Sequence, residues 1–151
     1  MEWFVNYVLP SLMTVISGVI VYLLGQYFHI IWLIPLQEYK KIRSKIAHEL
    51  LLYANIYSNV ISGDEKSEVL KKEHIVVMNQ LRNLAAELEG YIQTLNWFKF
   101  GIPSRKRLSE AVSLIVLLSN SCIDSYPMEQ SIMNHNTANE IRGLLKIYRK
   151  E

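Results

Sequence analysis

The sequence predicts an all-α protein: one N-terminal transmembrane helix followed by a small cytoplasmic helical bundle of about four helices. Three observations carry this. Between Glu2 and Glu38 lie 35 consecutive residues without an Asp, Glu, Lys or Arg. The 114 residues from Glu38 onward hold all 16 Lys and Arg and 13 of the 14 Asp and Glu, a net of +3. In that second part apolar residues recur at spacings of three and four, and no period-two pattern of useful length appears. The composition excludes a fully soluble globule, a disordered chain, a collagen and a disulfide scaffold. Residues 1–36 read as the transmembrane anchor and residues 37–151 as the cytoplasmic helical domain.

About 20 apolar residues at 1.5 Å each cross a bilayer core of about 30 Å. Phe4 to Leu36 exceeds that, so the span is placed near Val8 to Phe28, with the surplus along the interface or taken up by tilt. Trp3, Phe4 and Tyr7 at one end, and Tyr27, His29 and Trp32 at the other, fit the aromatic belts of a membrane helix. A cleaved signal peptide fits less well: the start carries Glu2 and no cation, and the apolar run is far longer than an h-region. Lys40, Lys41, Arg43 and Lys45 crowd the C-terminal flank. The positive-inside rule therefore sets Met1 outside and the domain in the cytoplasm. The same four cations have a plain explanation in topology and headgroup contact. Ser11, Thr14, Gly18 and Gly25 fall on one helix face and form a candidate self-association surface, as small residues let helices approach closely in lipid. The alternative is that Gly and Ser are simply common in membrane helices.

Pro35 predicts a kink or interruption after the anchor. Tyr39, Ile42, Ile46, Leu50, Tyr53, Tyr57 and Val60 then mark one face of a long helix, which Ser62-Gly63-Asp64 ends. A second helix begins at Leu70, carries Val77, Leu81, Leu84, Leu88, Tyr91 and Leu95, and stops around Phe100-Gly101-Ile102-Pro103. Ser104 caps a third, whose middle from Ala111 to Leu118 is apolar nearly all round and predicts a central position in the bundle. Asp124 to Asn134 reads as a loop around Pro127. Thr137-Ala138-Asn139-Glu140 reads as the capping box of a last helix with Ile141, Leu144, Leu145 and Tyr148 on one face.

Motifs for catalysis are missing, and no enzyme is expected. None of the four histidines pairs with another at helical spacing, and there is no Cys-x-x-Cys, so neither a metal site nor a cofactor is expected. There is no phosphate-cradling Gly-x-x-x-x-Gly-Lys loop and no nucleophile elbow. Glu87 and Glu89, two apart, point to different sides of a helix. His48 reads as a surface residue, Tyr53 and Tyr57 as core rather than a base-stacking platform, and the lone Cys122 as a small core residue in a reducing compartment.

One stretch breaks a local rule. Ser104-Arg105-Lys106-Arg107 puts three cations in the first turn of a helix, at the positive pole of its macrodipole. Free N–H groups, a hydroxyl and three cations make a candidate phosphate site. A solvated loop or contact with anionic lipid are the alternatives. Ser119 and Asn120, in the polar island Ser119-Asn120-Ser121, are candidate contacts to a base or ribose. Fraying of the helix end is the alternative reading.

The stretch Leu36 to Tyr57, with Tyr-Ala-Asn-x-Tyr after a membrane helix, resembles a family of small, N-terminally anchored bacterial proteins. So do Leu81-Arg82-Asn83-Leu84-Ala85-Ala86-Glu87-Leu88, Ile102-Pro103-Ser104 and Leu118-Ser119-Asn120-Ser121. Within that architecture the chain is similar to the small membrane effectors of type III CRISPR systems. The resemblance implies an antiviral defence effector of the bacterial inner membrane that binds a cyclic oligoadenylate, cyclic tetra-adenylate first among them, and perturbs the membrane. It also implies membrane lipid and further copies of the chain as partners, with a tetramer as the expected homo-oligomer and no duplex nucleic acid. The rival expectation is a membrane-anchored protein-interaction module with no small-molecule ligand, and a weaker third is a transporter subunit.

Overall fold

The computed structural model describes residues 4–61, 67–95, 101–123 and 127–147. Among the described residues six α-helices follow in order: α1 (Leu9–Phe28), α2 (Ile34–Leu52), α3 (Ala54–Ser58), α4 (Glu68–Thr94), α5 (Arg105–Asn120) and α6 (Pro127–Leu144). Among the described residues there is no strand, only an isolated parallel bridge between Ile61 and Ile123. The all-α class holds.

α1 is 20 residues long and buries no residue against the rest of the chain. At 1.5 Å per residue it measures about 30 Å, the thickness of a hydrocarbon core. It is part of one helical run from Asn6 to Leu52 that is long and apolar enough to cross a membrane. The Ser11, Thr14 and Ser17 hydroxyls donate to the carbonyls of Tyr7, Pro10 and Met13 at 2.7–2.9 Å, so each polar group is satisfied inside its own helix. That is the requirement an apolar solvent sets.

The break expected at Pro35 does not occur. Wider π-helical turns at His29–Leu33 precede α2, and Pro35 sits in its first turn. A proline there lacks an N–H that the widened turn does not need, so α1 runs into α2 without interruption. The break comes later, at Tyr53, whose φ of −95° and ψ of 13° separate α2 from α3. At this bend the Leu50 carbonyl accepts from Tyr57 Oη at 2.8 Å and from Arg142 Nη2 at 3.4 Å.

α2 gives Tyr39, Ile42, Ile46 and Leu50 to the core, and Tyr57 and Val60 continue that face. α4 begins at Glu68 behind an N-capping Ser67, two residues before the expected start, and buries Val77, Leu81, Leu84, Leu88 and Tyr91 as its spacing predicts. α5 packs between α4 and α6. It is not enclosed all round. Leu108, Ala111, Ile115 and Leu118 are buried, while Val116 and Leu117 face solvent. The expected stop at Ser62-Gly63-Asp64 and the residue Phe100 lie outside the described residues.

The last helix corrects two expectations. Residues 127–134 are helical, because Pro127 opens α6 instead of marking a loop. Proline's fixed φ suits a first helical turn. Thr137 is then mid-helix and caps nothing; its hydroxyl donates to the Met133 carbonyl at 2.9 Å. α6 ends in a left-handed cap: Lys146 has φ 55°, and Ile147 N–H reaches back to the Arg142 carbonyl at 2.8 Å. This is a Schellman arrangement with its apolar residue, Ile147, against the core.

Candidate functional site

The bundle has two ends. At the entry end, where α1 joins, Tyr91 Oη donates to the Pro35 carbonyl at 2.9 Å and Tyr39 Oη to the Leu145 carbonyl at 2.7 Å. The two tyrosine rings lie 6.2 Å apart, and the Arg43 guanidinium sits 5.9 Å from the Tyr39 ring centroid. Burial pushes the Tyr91 hydroxyl well above its usual range, and the charge of Glu38 adds to this. Gly101, at φ 81°, packs on the same end; a Cβ there would stand 3.4 Å from Leu36 Cδ1.

The stretch Ser104 to Arg107 is at this end. Ser104 takes the extended conformation of an N-cap, and its Oγ accepts the Arg107 N–H at 3.4 Å. Arg105 Nη2 donates to the carbonyl of Leu95, the residue that ends α4. Arg107 Nη2 reaches the carbonyl of Gly143, in the last turn of α6, at 3.5 Å. The cations that oppose their own helix dipole therefore complement the negative ends of its two antiparallel neighbours. Lys106, between them, is exposed.

Ser119 and Asn120 are at the other end of α5. Arg105 to Asn120 is 15 residues, about 22 Å along a helix. Ser119 is fully buried, and its hydroxyl donates to the Val116 carbonyl at 2.7 Å. Asn120 Oδ1 accepts from Arg82 Nη2 at 2.8 Å. The fold thus does not bring the two halves of the expected ligand site together within one chain. On α1, Gly18 and Gly25 leave open space, and Ser11 and Thr14 are bonded within the helix.

Sequence reasoning missed a buried polar hub. Asn134 is 1% exposed. Its Nδ2 donates to the carbonyls of Tyr57 at 2.9 Å and Ser121 at 3.1 Å, while its Oδ1 accepts from Ser121 Oγ and from Gln130 Nε2. One side chain so ties α3, the end of α5 and α6. No pattern signal marks it, and reading 124–134 as a loop hid it. Cys122, next to Ser121 in sequence, is buried, and burial pushes its thiol up to about 11. His74, 4% exposed, sits between the carbonyls of Leu70 and Asn59. Tyr57 is core, as expected.

Two grooves among the described residues bear on the site. One, of about 270 Å³, is lined by Glu38, Lys41, Ile42, Glu87, Gly90, Tyr91 and Thr94. Lys45 lies next to it and pairs with Glu87 at 2.7 Å. The other, of about 320 Å³, is lined by Ser58, Ser131, Ile132, His135 and Asn136 at the far end. Neither includes a residue of the stretch Ser104 to Arg107 or of the pair Ser119 and Asn120. Among the described residues no group of His, Cys, Asp or Glu can hold a metal ion.

The second groove opens on an apolar surface. Among the described residues of the bundle, the exposed large apolar side chains are Ile34 at the start of α2, Leu51 and Leu52 at its end, and Val69, Leu70, Ile75 and Val76 at the start of α4. Val116 and Leu117 on α5 and Met128, Ile132 and Met133 on α6 complete the set. All but Ile34 lie in the half away from α1, because α2 and α5 end there while α4 and α6 begin there.

Compared with family models, curated proteins and solved structures, the chain matches none.

Proposed function

We propose that the chain is a single-pass membrane protein whose cytoplasmic bundle presents its far end to a protein partner. One observation supports this above the others: apart from Ile34 beside α1, the exposed large apolar residues of the bundle fall in the half away from α1. Monomeric surfaces rarely expose contiguous apolar patches larger than a few hundred Å², and larger ones mark interaction sites. The adjoining groove with Ile132 on its wall offers a place for a protruding side chain. A photo-crosslinking residue at Val76 or Ile132, in native membranes, should give a discrete adduct with a protein, and one at Lys40 should not. Equal labelling at the two ends rejects the reading.

A second reading, a cyclic-oligoadenylate effector that assembles through α1, is favoured by Ser104 capping a helix turn that carries exposed Lys106 between two arginines. Full-length protein titrated with cyclic tetra-adenylate tests it, with Lys106→Gln as the variant. Saturable binding weakened by that change supports the effector; an absence of binding leaves the partner-docking reading in place. Gly18→Leu with Gly25→Leu would weaken assembly in detergent if α1 self-associates, and unchanged assembly excludes that face.

A further inference from the structure

We propose that the entry end of the bundle is an anionic-lipid contact surface built by lysines from three separate elements: Lys40 and Lys41 of α2, Lys106 of α5 and Lys146 just past α6. The proposal rests on α1 crossing a bilayer, and goes beyond the partner docking at the far end. Contacts already described bring these elements to one place. Gly101 packs on Leu36, Arg105 reaches the end of α4, and Tyr39 holds the Leu145 carbonyl. Residues 104–107 and 143–147 therefore stand beside the point where α1 leaves the bundle.

The reach is adequate. From Phe28, the last residue of α1, to Leu36 is eight residues of continuous helix, about 12 Å. The headgroup layer on each side of the core takes up roughly 5–8 Å of this. The end of the bundle so lies within a Debye length, about 8 Å, of the charged surface, and lysine stems extend towards it. All four lysines are exposed, and the ion pair formed among the described residues is that of Lys45 with Glu87. Arg105 and Arg107 turn their guanidiniums to helix carbonyls, while Lys106 between them does not share those bonds. Lys146 holds a left-handed position that favours glycine, and a lysine there supplies a cation at this end. Glu38 shares the nearby groove with Lys41, so the surface is a set of cationic points and not a uniform sheet of charge. The chemistry that fits is an anionic phosphodiester headgroup.

The full chain in nanodiscs tests this, with phosphatidylcholine alone compared with phosphatidylcholine containing one third phosphatidylglycerol. Backbone hydrogen exchange is read at residues 104–108 and 143–147. A lysine near an anionic surface is worth roughly fivefold in binding, so exchange there should slow by about an order of magnitude in the anionic discs and recover at high salt. Lys106→Gln with Lys146→Gln should remove most of that protection, and Lys40→Gln with Lys41→Gln part of it. Lys146→Gly, which relieves the left-handed backbone, provides a folded control for the lost charge. Identical exchange in the two discs, or protection unchanged in the Lys106 and Lys146 variant, overturns the proposal. Equal protection in phosphatidylcholine discs on adding cyclic tetra-adenylate assigns the surface to a soluble nucleotide and overturns it as well. A chain that does not co-elute with discs refutes the membrane span instead.

Discussion

The two ends of the bundle are built on different principles. At the entry end tyrosine hydroxyls and arginine guanidiniums close helix carbonyls, and among the described residues Ile34 is the one large apolar side chain of the bundle left exposed there. At the far end apolar residues from four helices face outward, and order depends on a buried asparagine. The entry end grips the base of a continuous helix, so α1 and the bundle cannot pivot freely about Pro35. The far end leaves its surface unpaired and keeps its shape by an internal polar hub.

The far end is most sensitive at that hub. Asn134→Ala strands the carbonyls of Tyr57 and Ser121 in a dry site, where each unpaired group costs about 1–3 kcal/mol. The full chain in detergent should lose about 3 kcal/mol and melt roughly 12 °C lower, followed by circular dichroism. Asn136→Ala, on the adjoining groove, is the control; similar losses in both would mean the hub has no special role.

Arg105→Gln attacks the entry end. A charge-assisted bond to the last carbonyl of α4 is worth about 1.5–3 kcal/mol, reduced here by partial exposure to about 1. The melting temperature should fall by roughly 4 °C. If it holds or rises, the guanidinium does not cap α4, and a phosphate role for the stretch Ser104 to Arg107 gains ground.

Lys146→Gly has the opposite sign. It removes a side chain from a left-handed position and should add about 1 kcal/mol, raising the melting temperature by roughly 4 °C. A drop would show that the lysine itself holds the end of α6.

The smallest effect is alkaline. Burial raises the Cys122 thiol to about 11 against its usual 9.0, and it also raises the hydroxyls of Tyr91 and, with the Glu49 charge, of Tyr53. Each is neutral when protonated, so the unfolded state ionises first. Stability is then full below about pH 9 and declines as the pH rises towards 11. In the native protein Cys122 should resist thiol reagents at pH 8 and react only on unfolding. Fast labelling of the folded chain would contradict its burial.

Sequence alone determined the helical class, the apolar first helix, the faces of α2 and α4 and the Ser104 cap, because these rest on local periodicity, on solvent and on the four-residue geometry of a helix start. It misjudged Pro35 and Pro127, since a proline in a first turn and a proline in a loop look alike until the surrounding backbone is known. Thr137-Ala138-Asn139-Glu140 has the letters of a capping box, but only an N-terminus makes it one, and α6 starts ten residues earlier. The tertiary structure alone decided how the residues of the candidate site are arranged. Three cations at the start of α5 look misplaced within that helix. The two arginines among them make sense once the ends of α4 and α6 arrive beside them, because a dipole's sign is local while its compensation comes from elements far away in the sequence. The same holds for Asn134, whose partners are 77 and 13 residues away. Burial across such distances is a property of packing, and no periodicity encodes it.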